Sequence, residues 1–226
     1  MPLPDSSLTS KFQSTLRLVP WLVLLAGLAV TFMVYRSNQT DTRRALETEF
    51  AHRVNQLSGS IEVRLRGYEQ VLRGAAGLFA ASVSVERHEF RDYVAALNLE
   101  KHYPGIQGVG YARLVRPHDL ATHVAAIRKE GFPDYAVRPD GERETYTPVI
   151  YIEPFSGRNL RAFGYDMFSE PVRRAALERA RDEGNTAISG KLKLLQEIDR
   201  DVQAGFIMYL PVYRNGLPHA TPAERR

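Results

Sequence analysis

LVPWLVLLAGLAVTFMVY, residues 18–35, decides the architecture, because it is a run without a single charged residue. At about 1.5 Å of rise per helical residue it nearly matches a hydrocarbon core of roughly 30 Å, and it reads as one transmembrane helix. Trp21 and Tyr35 stand near its two ends, where amphipathic rings suit the interfaces. Pro20 falls in the first turn, where its missing N–H costs little. A cleaved leader is the competing reading, with Lys11 and Arg17 as its basic part. Against it, the apolar stretch is long and no clean small-x-small site follows it before Arg36. Residues 1–17 are then a cytoplasmic N-terminus and 18–35 a retained anchor. Flanking charge does not set the orientation, since Arg36, Arg43 and Arg44 follow the run as closely as Lys11 and Arg17 precede it.

Outward from the anchor, apolar residues recur at Leu46, Phe50, Val54, Leu57, Ile61, Leu65, Tyr68, Leu72, Ala75 and Phe79. The steps average about 3.67 residues, the eleven-residue repeat rather than the seven-residue one. Residues 36–81 are therefore expected to form a long, nearly straight stalk helix that pairs with a second copy of the chain. Leu46, Leu57, Tyr68 and Phe79 fall on one line of it. The alternative is an amphipathic helix packed on its own domain, and Gly59, Gly67, Gly74 and Gly77 lower helix propensity along the way.

The remaining sequence has the composition of a folded protein. Of 226 residues, 44% are hydrophobic and 25% charged, and the net charge of +4 is spread along the chain. No basic run interleaved with aromatics marks a nucleic-acid groove, so nucleic acid is excluded as a partner. The chain has no cysteine, which removes disulfides, thiolate metal sites and thiol nucleophiles together.

After residue 81 short helices alternate with strand-like runs. Phe90, Val94 and Leu97 share a helical face that ends by the turn pair Pro104-Gly105. Ile106 to Val115 reads as a strand. Pro117 to Glu130 reads as a helix turning Leu120, Val124 and Ile127 inward, with Gly131 just past its end. Thr145 to Ile152 is a strand that Pro148 places at an edge or bulge. Ser169 is the expected N-cap of a helix from Glu170 to Glu183, with Pro171 in its first turn and Gly184 as its stop. Phe206 to Tyr213 reads as the last strong strand. These elements make an antiparallel α+β domain of the sensor type, residues 82–226.

Residues that would do chemistry are not arranged for it. His118 and His123, the closest histidine pair, are five apart and miss a common helical face, so no metal site is expected. No G-x-S-x-G elbow occurs. The glycines of Gly105 to Gly110 run G-x-x-G-x-G, the wrong order for a dinucleotide loop, and no helix begins there. Asp140, Glu142 and Glu144 cluster, but such a charged loop is usually a solvated one. The chain reads as a binder with no catalytic residues and no cofactor.

Phe90 and Tyr93 stand before Tyr103-Pro104-Gly105-Ile106-Gln107-Gly108-Val109-Gly110, and Tyr146-Thr147-Pro148-Val149-Ile150-Tyr151 follows. Next come Gly164-Tyr165-Asp166-Met167-Phe168-Ser169, a helix with Arg173 and Ala176, and a closing run from Gly205 that contains Leu210-Pro211-Val212-Tyr213. In this order and spacing, Glu86 to Tyr213 resembles a CHASE domain. That family is the extracytoplasmic sensor module of receptor histidine kinases and of cyclic-nucleotide or cyclic-dinucleotide enzymes, the plant cytokinin receptors included. The resemblance implies a stalk helix followed by two PAS-like subdomains, of which this chain completes the membrane-distal one and leaves the membrane-proximal one incomplete. It also implies an inner-membrane receptor with its sensor domain in the periplasm, a small-molecule ligand and a homodimer.

By the same resemblance an acidic residue just before the Y-x-P-V strand meets the ligand, and Glu144 stands there. A Glu is longer than the Asp of the purine-binding members, so the same purine-like ligand does not follow. Ser189, Leu192 and Leu194 line the pocket by analogy, joined by Tyr146, Asp166 and Met167. Together they supply apolar walls with a few fixed polar groups. Asp166 also reads as a turn residue, and Met167 and the leucines as ordinary core. A sensor module is the leading reading, ahead of a scaffold domain without a small ligand and of a membrane-tethered hydrolase.

Overall fold

The computed structural model describes the backbone of residues 7–193 and 204–226, and the side chains of residues 20–36, 46–192 and 205–226. Contacts divide the chain into two units, Met1–Ile61 and Glu62–Arg226.

The described residues of the first unit lie within helix α1, Ser7–Ala81. All its described side chains are exposed. Arg53 and Glu49, one turn apart and solvated on both sides, form an ion pair at 2.6 Å; such pairs contribute little to stability. Among the described residues no helix is long and apolar enough to cross a membrane, and Leu18 and Val19 of the apolar run lie outside those with described side chains.

In the second unit the last turns of α1 are packed. Val71 and Ala75 are 1% and 8% exposed, in a core with Val85, Phe90, Val94, Leu99 and Val109. Phe90 and Val94 come from α2, Arg87–Leu97, at the spacing that puts both on one face. Asn98 ends α2 at φ 48°, a left-handed position that asparagine tolerates, and α3, Leu99–His102, follows.

Strand β1, Val109–Ala112, pairs antiparallel with β2, Val149–Glu153, and the register shifts between Tyr111 and Ala112. The ladder runs on through Val115 and Tyr146. On the far side of β2, Val149 exchanges backbone hydrogen bonds with Tyr165 and Gly164 (3.0 and 2.8 Å), and Arg138 lies beyond them. Pro148 thus sits beside the irregular register rather than at an outer edge, and is fully buried. The expected strand from Ile106 starts three residues later because the turn persists: the Ile106 N–H donates to the Tyr103 carbonyl at 3.1 Å.

A 3₁₀ turn, Pro117–Asp119, leads into α4, Leu120–Lys129, and Gly131 at φ 104° closes it. The buried α4 residues are His123 and Ile127; of the expected inward set, Leu120 and Val124 are both half-buried, and His123 was not in it. Ile127, Tyr135 and Ile150 form a second small core. The Arg87 guanidinium lies over the rings of Phe132, Tyr151 and Phe163 (4.4, 4.8 and 5.3 Å), donates to the Ile150 carbonyl at 2.7 Å and pairs with Glu130 at 2.9 Å. One cation thereby joins α2, β2 and the end of α4.

Helix α5, Pro171–Glu183, is capped by Glu170 and not by Ser169. Pro171 at the first helical position sets the start, and the Glu170 carboxylate accepts from the Val172 and Arg173 N–H groups (3.0 and 2.9 Å). Ser169 Oγ instead donates to the Asp166 carbonyl at 2.6 Å. Gly184, at φ 68°, ends the helix.

Two-residue strands complete the unit. β3, Ala187–Ile188, pairs with β6, Met208–Tyr209, and β4, Leu192–Lys193, pairs with β5, Ala204–Gly205, both antiparallel. The expected strand Phe206 to Tyr213 contracts to β6, because its partner is two residues long and Pro211 has no N–H to extend the ladder. The chain closes in α6, Pro222–Arg225. Before it, Asn215 Nδ2 donates to the carbonyls of Phe79, Ala80 and Ser82 (3.2, 3.3 and 3.1 Å), satisfying the C-terminal end of α1. The result is an α+β fold with small antiparallel sheets.

Candidate functional site

Two cavities open in the second unit. The larger, about 830 Å³, is predominantly apolar. One wall is the α1 stripe of Tyr68, Val71, Leu72, Ala75 and Phe79. The floor is β1 with Val149, and the opposite wall is residues 205–214, with Met167 between. Tyr68 is fixed by donating to the Pro104 carbonyl at 2.5 Å. Tyr111 lies on Phe79 with ring centroids 4.3 Å apart. Burial raises the pKa of Tyr111 and that of Tyr209, so both are neutral donors at physiological pH. Tyr209 reaches Met167 Sδ at 3.9 Å, and Tyr213 donates to the Arg181 carbonyl at 2.7 Å.

Gly108 and Gly110 in the floor are required by close approach. A Cβ on either would come within 2.9 and 3.0 Å of the Glu153 and Tyr151 carbonyls of the facing strand. The glycines in this segment thus allow β1 to lie against β2.

The second cavity, about 790 Å³, is polar. Glu142, Arg143, Glu144, Arg174, Glu178, Arg181, Asp182 and Arg226 line it, with Thr145 and Phe168. Arg226 and Arg181 beside Asp182 (2.6 and 2.7 Å) hold its carboxyl well below the usual carboxylate range. Glu144 and Glu142 are exposed.

The residues expected to line a pocket are spread between these cavities and the core. Glu144 faces the polar cavity and Met167 the apolar one. Tyr146 is buried; its hydroxyl donates to the Gly141 carbonyl at 3.0 Å and accepts from the Arg143 N–H at 3.2 Å, closing the 141–146 loop. Asp166 is fully buried. Its Oδ1 accepts from the N–H groups of Thr147 and Phe168 and from Thr147 Oγ1 (2.7, 3.1 and 3.3 Å), while Oδ2 faces Arg143 Nε at 3.4 Å. Ser189 Oγ donates to the Gly190 carbonyl and accepts from the Ile207 N–H, both at 2.9 Å. Leu192 is buried in β4, and Leu194 lies outside the described residues.

Arg143 is the residue that sequence reasoning passed over. It meets Asp166, lies 5.7 Å from the Tyr146 ring and donates to the carbonyls of Pro139 and Gly141 (3.2 and 3.0 Å). Tyr111 and Tyr209 were also unmarked, although each stands in a run of alternating aromatic and aliphatic residues. Among the described residues no group of His, Cys, Asp and Glu is placed to hold a metal ion.

A family model described as CHASE domain matches residues 83–226, well over half of the chain. This chain belongs to the CHASE-domain family. No curated protein matches it. CHASE domains are extracytoplasmic sensor modules of signalling receptors and not catalytic domains, which gives the chain its general role. The matched CHASE segment begins just after α1 ends at Ala81, yet the last turns of α1 supply a full wall of its apolar cavity.

Proposed function

We propose that this CHASE domain binds a small molecule in its apolar cavity and belongs to a receptor anchored in the inner membrane. Residues 18–35 cross the membrane, residues 1–17 lie in the cytoplasm, residues 36–81 form the stalk, and the domain of residues 82–226 is periplasmic. Two copies pair through α1. One observation carries the ligand-binding reading: the cavity is walled on one side by α1 itself, so an occupant touches the helix that continues toward the anchor. Of the expected residues, Met167 contacts the ligand. Tyr146 and Asp166 hold the segment that carries Met167, and Ser189 and Leu192 hold the opposite wall. Glu144 serves the polar cavity. A ligand that favours one arrangement of the paired helices shifts their equilibrium by its differential affinity, typically 1–3 kcal/mol.

The test is a thermal-shift screen of the full chain in lipid nanodiscs against purines, amino acids and carboxylates. A true ligand at a hundred times its Kd adds about 2.7 kcal/mol of stability. Leu72→Phe, which fills the cavity from a half-buried position, is expected to remove that gain. A cleanly melting sample that no compound stabilises would overturn the proposal.

A further inference from the structure

The lining of the apolar cavity is electrically one-sided. Arg113, Arg116, Arg181, Arg214, Arg225 and Arg226 border it, against Glu224 as the single carboxylate. Three of these cations are occupied. Arg181 and Arg226 pair with Asp182, and Arg225 donates to the carbonyls of His219, Asp182 and Ala220. Among the described residues no ion pair or side-chain hydrogen bond engages Arg113, Arg116 or Arg214, whose bonds are made by the backbone, and all three are exposed. Arg113 and Arg214, from different stretches of chain, border the cavity together with Tyr111. Tyr111 lies in turn on Phe79, inside the apolar wall.

An apolar trough along three turns of α1, about 16 Å at the helical rise, is therefore bordered by the Tyr111 phenol and by guanidiniums whose side chains hold no partner among the described residues. We infer that the natural occupant is an amphiphilic carboxylate, with an extended or aryl apolar body along the Tyr68 to Phe79 stripe and its acid group between Arg113 and Arg214. A guanidinium fork matches a carboxylate in plane and charge, whereas a neutral head forgoes the charge-assisted bonds and a cationic head is repelled. The inference rests on the reading of this cavity as the ligand site and adds the class of ligand.

Equilibrium dialysis of labelled dodecanoate, dodecanol and dodecyltrimethylammonium against the full chain in phosphatidylcholine nanodiscs tests it, with empty nanodiscs as the partition blank. Saturable dodecanoate binding is expected, about tenfold or more tighter than that of dodecanol, which is about 1.4 kcal/mol. Arg113→Ala with Arg214→Ala should erase that preference, and the corresponding double lysine variant should keep most of it. Three outcomes overturn the inference while leaving the cavity reading standing: equal binding of dodecanol, tighter binding of the ammonium, or an unchanged preference in the double alanine variant. If none of the three amphiphiles binds but another compound in the thermal screen stabilises the chain, the inference alone falls. If nothing stabilises the chain, both fall.

Discussion

On helix α1, Leu46, Phe50, Leu57 and Ile61 are 60–71% exposed, whereas Val71 and Ala75 a few turns later are 1% and 8% exposed. The apolar spacing is the same in both stretches, so the difference lies in what covers them. From residue 68 onward the cover is α2, β1 and the C-terminal segment of the same chain. From 46 to 61 every side chain is exposed among the described residues, and that is the basis for proposing a second copy. A helical stripe reports that a face is to be buried; it does not name the partner.

The largest test of this contrast places a charge on each stretch. Val71→Asp puts an unpaired carboxylate into a closed core, and a loss of about 3 kcal/mol or more, read by denaturant unfolding, is expected. Leu57→Asp should leave that unfolding curve within about 0.5 kcal/mol and abolish pairing of the helices. Because the chain has no native cysteine, single cysteines at 46 and 57 report pairing by crosslinking without background. Absence of crosslinked dimer at both positions would break the proposed pairing.

A smaller test uses glycine. Gly59→Ala meets open space and should stabilise the helix by up to about 1 kcal/mol. At Gly74 the new methyl would collide with the Tyr93 hydroxyl, which donates to the Val71 carbonyl at 2.7 Å. Gly74→Ala is therefore expected to cost about 1–2 kcal/mol. Equal signs in thermal melts followed by circular dichroism would erase the distinction between the two stretches.

The smallest effect comes from acid, and it belongs to the packed unit. His123 is buried against Tyr135 at 3.0 Å, and burial, with Arg113 adding to it, lowers its pKa from 6.5. The unfolded chain takes up this proton first, so the stability contributed by neutral His123 is complete above about 6.5 and drains away as pH falls below that. Melts between pH 7 and 5 should show that loss, and His123→Gln should flatten it.

Local signals in the sequence were legible where a single residue type suffices. Gly131 and Gly184 stop their helices with positive φ, and Pro104-Gly105 makes its turn. The Ser169 cap failed because a neighbouring Glu before Pro171 reaches the same N–H groups. The strands came out shorter than their apolar runs because strand length is set by the partner, and β3 offers two residues. At the site, Met167 was found as a residue type but Arg143 was not, since its role depends on Asp166 being brought up from more than twenty residues away. The α1 wall was visible as a stripe, read first as pairing with a second copy and alternatively as packing on its own domain, and spacing alone cannot choose between the two.

The Asn215 amide, bound to three carbonyls at the end of α1, fastens one long wall of the apolar cavity to the end of the other, and the bonds of Thr186 to Glu69 and of Arg73 to Asn185 tie α1 down again further back. Latched at both places, α1 lies against the domain like a bar across a door, and severing Asn215 alone would leave the bar hung from Thr186 and Asn185.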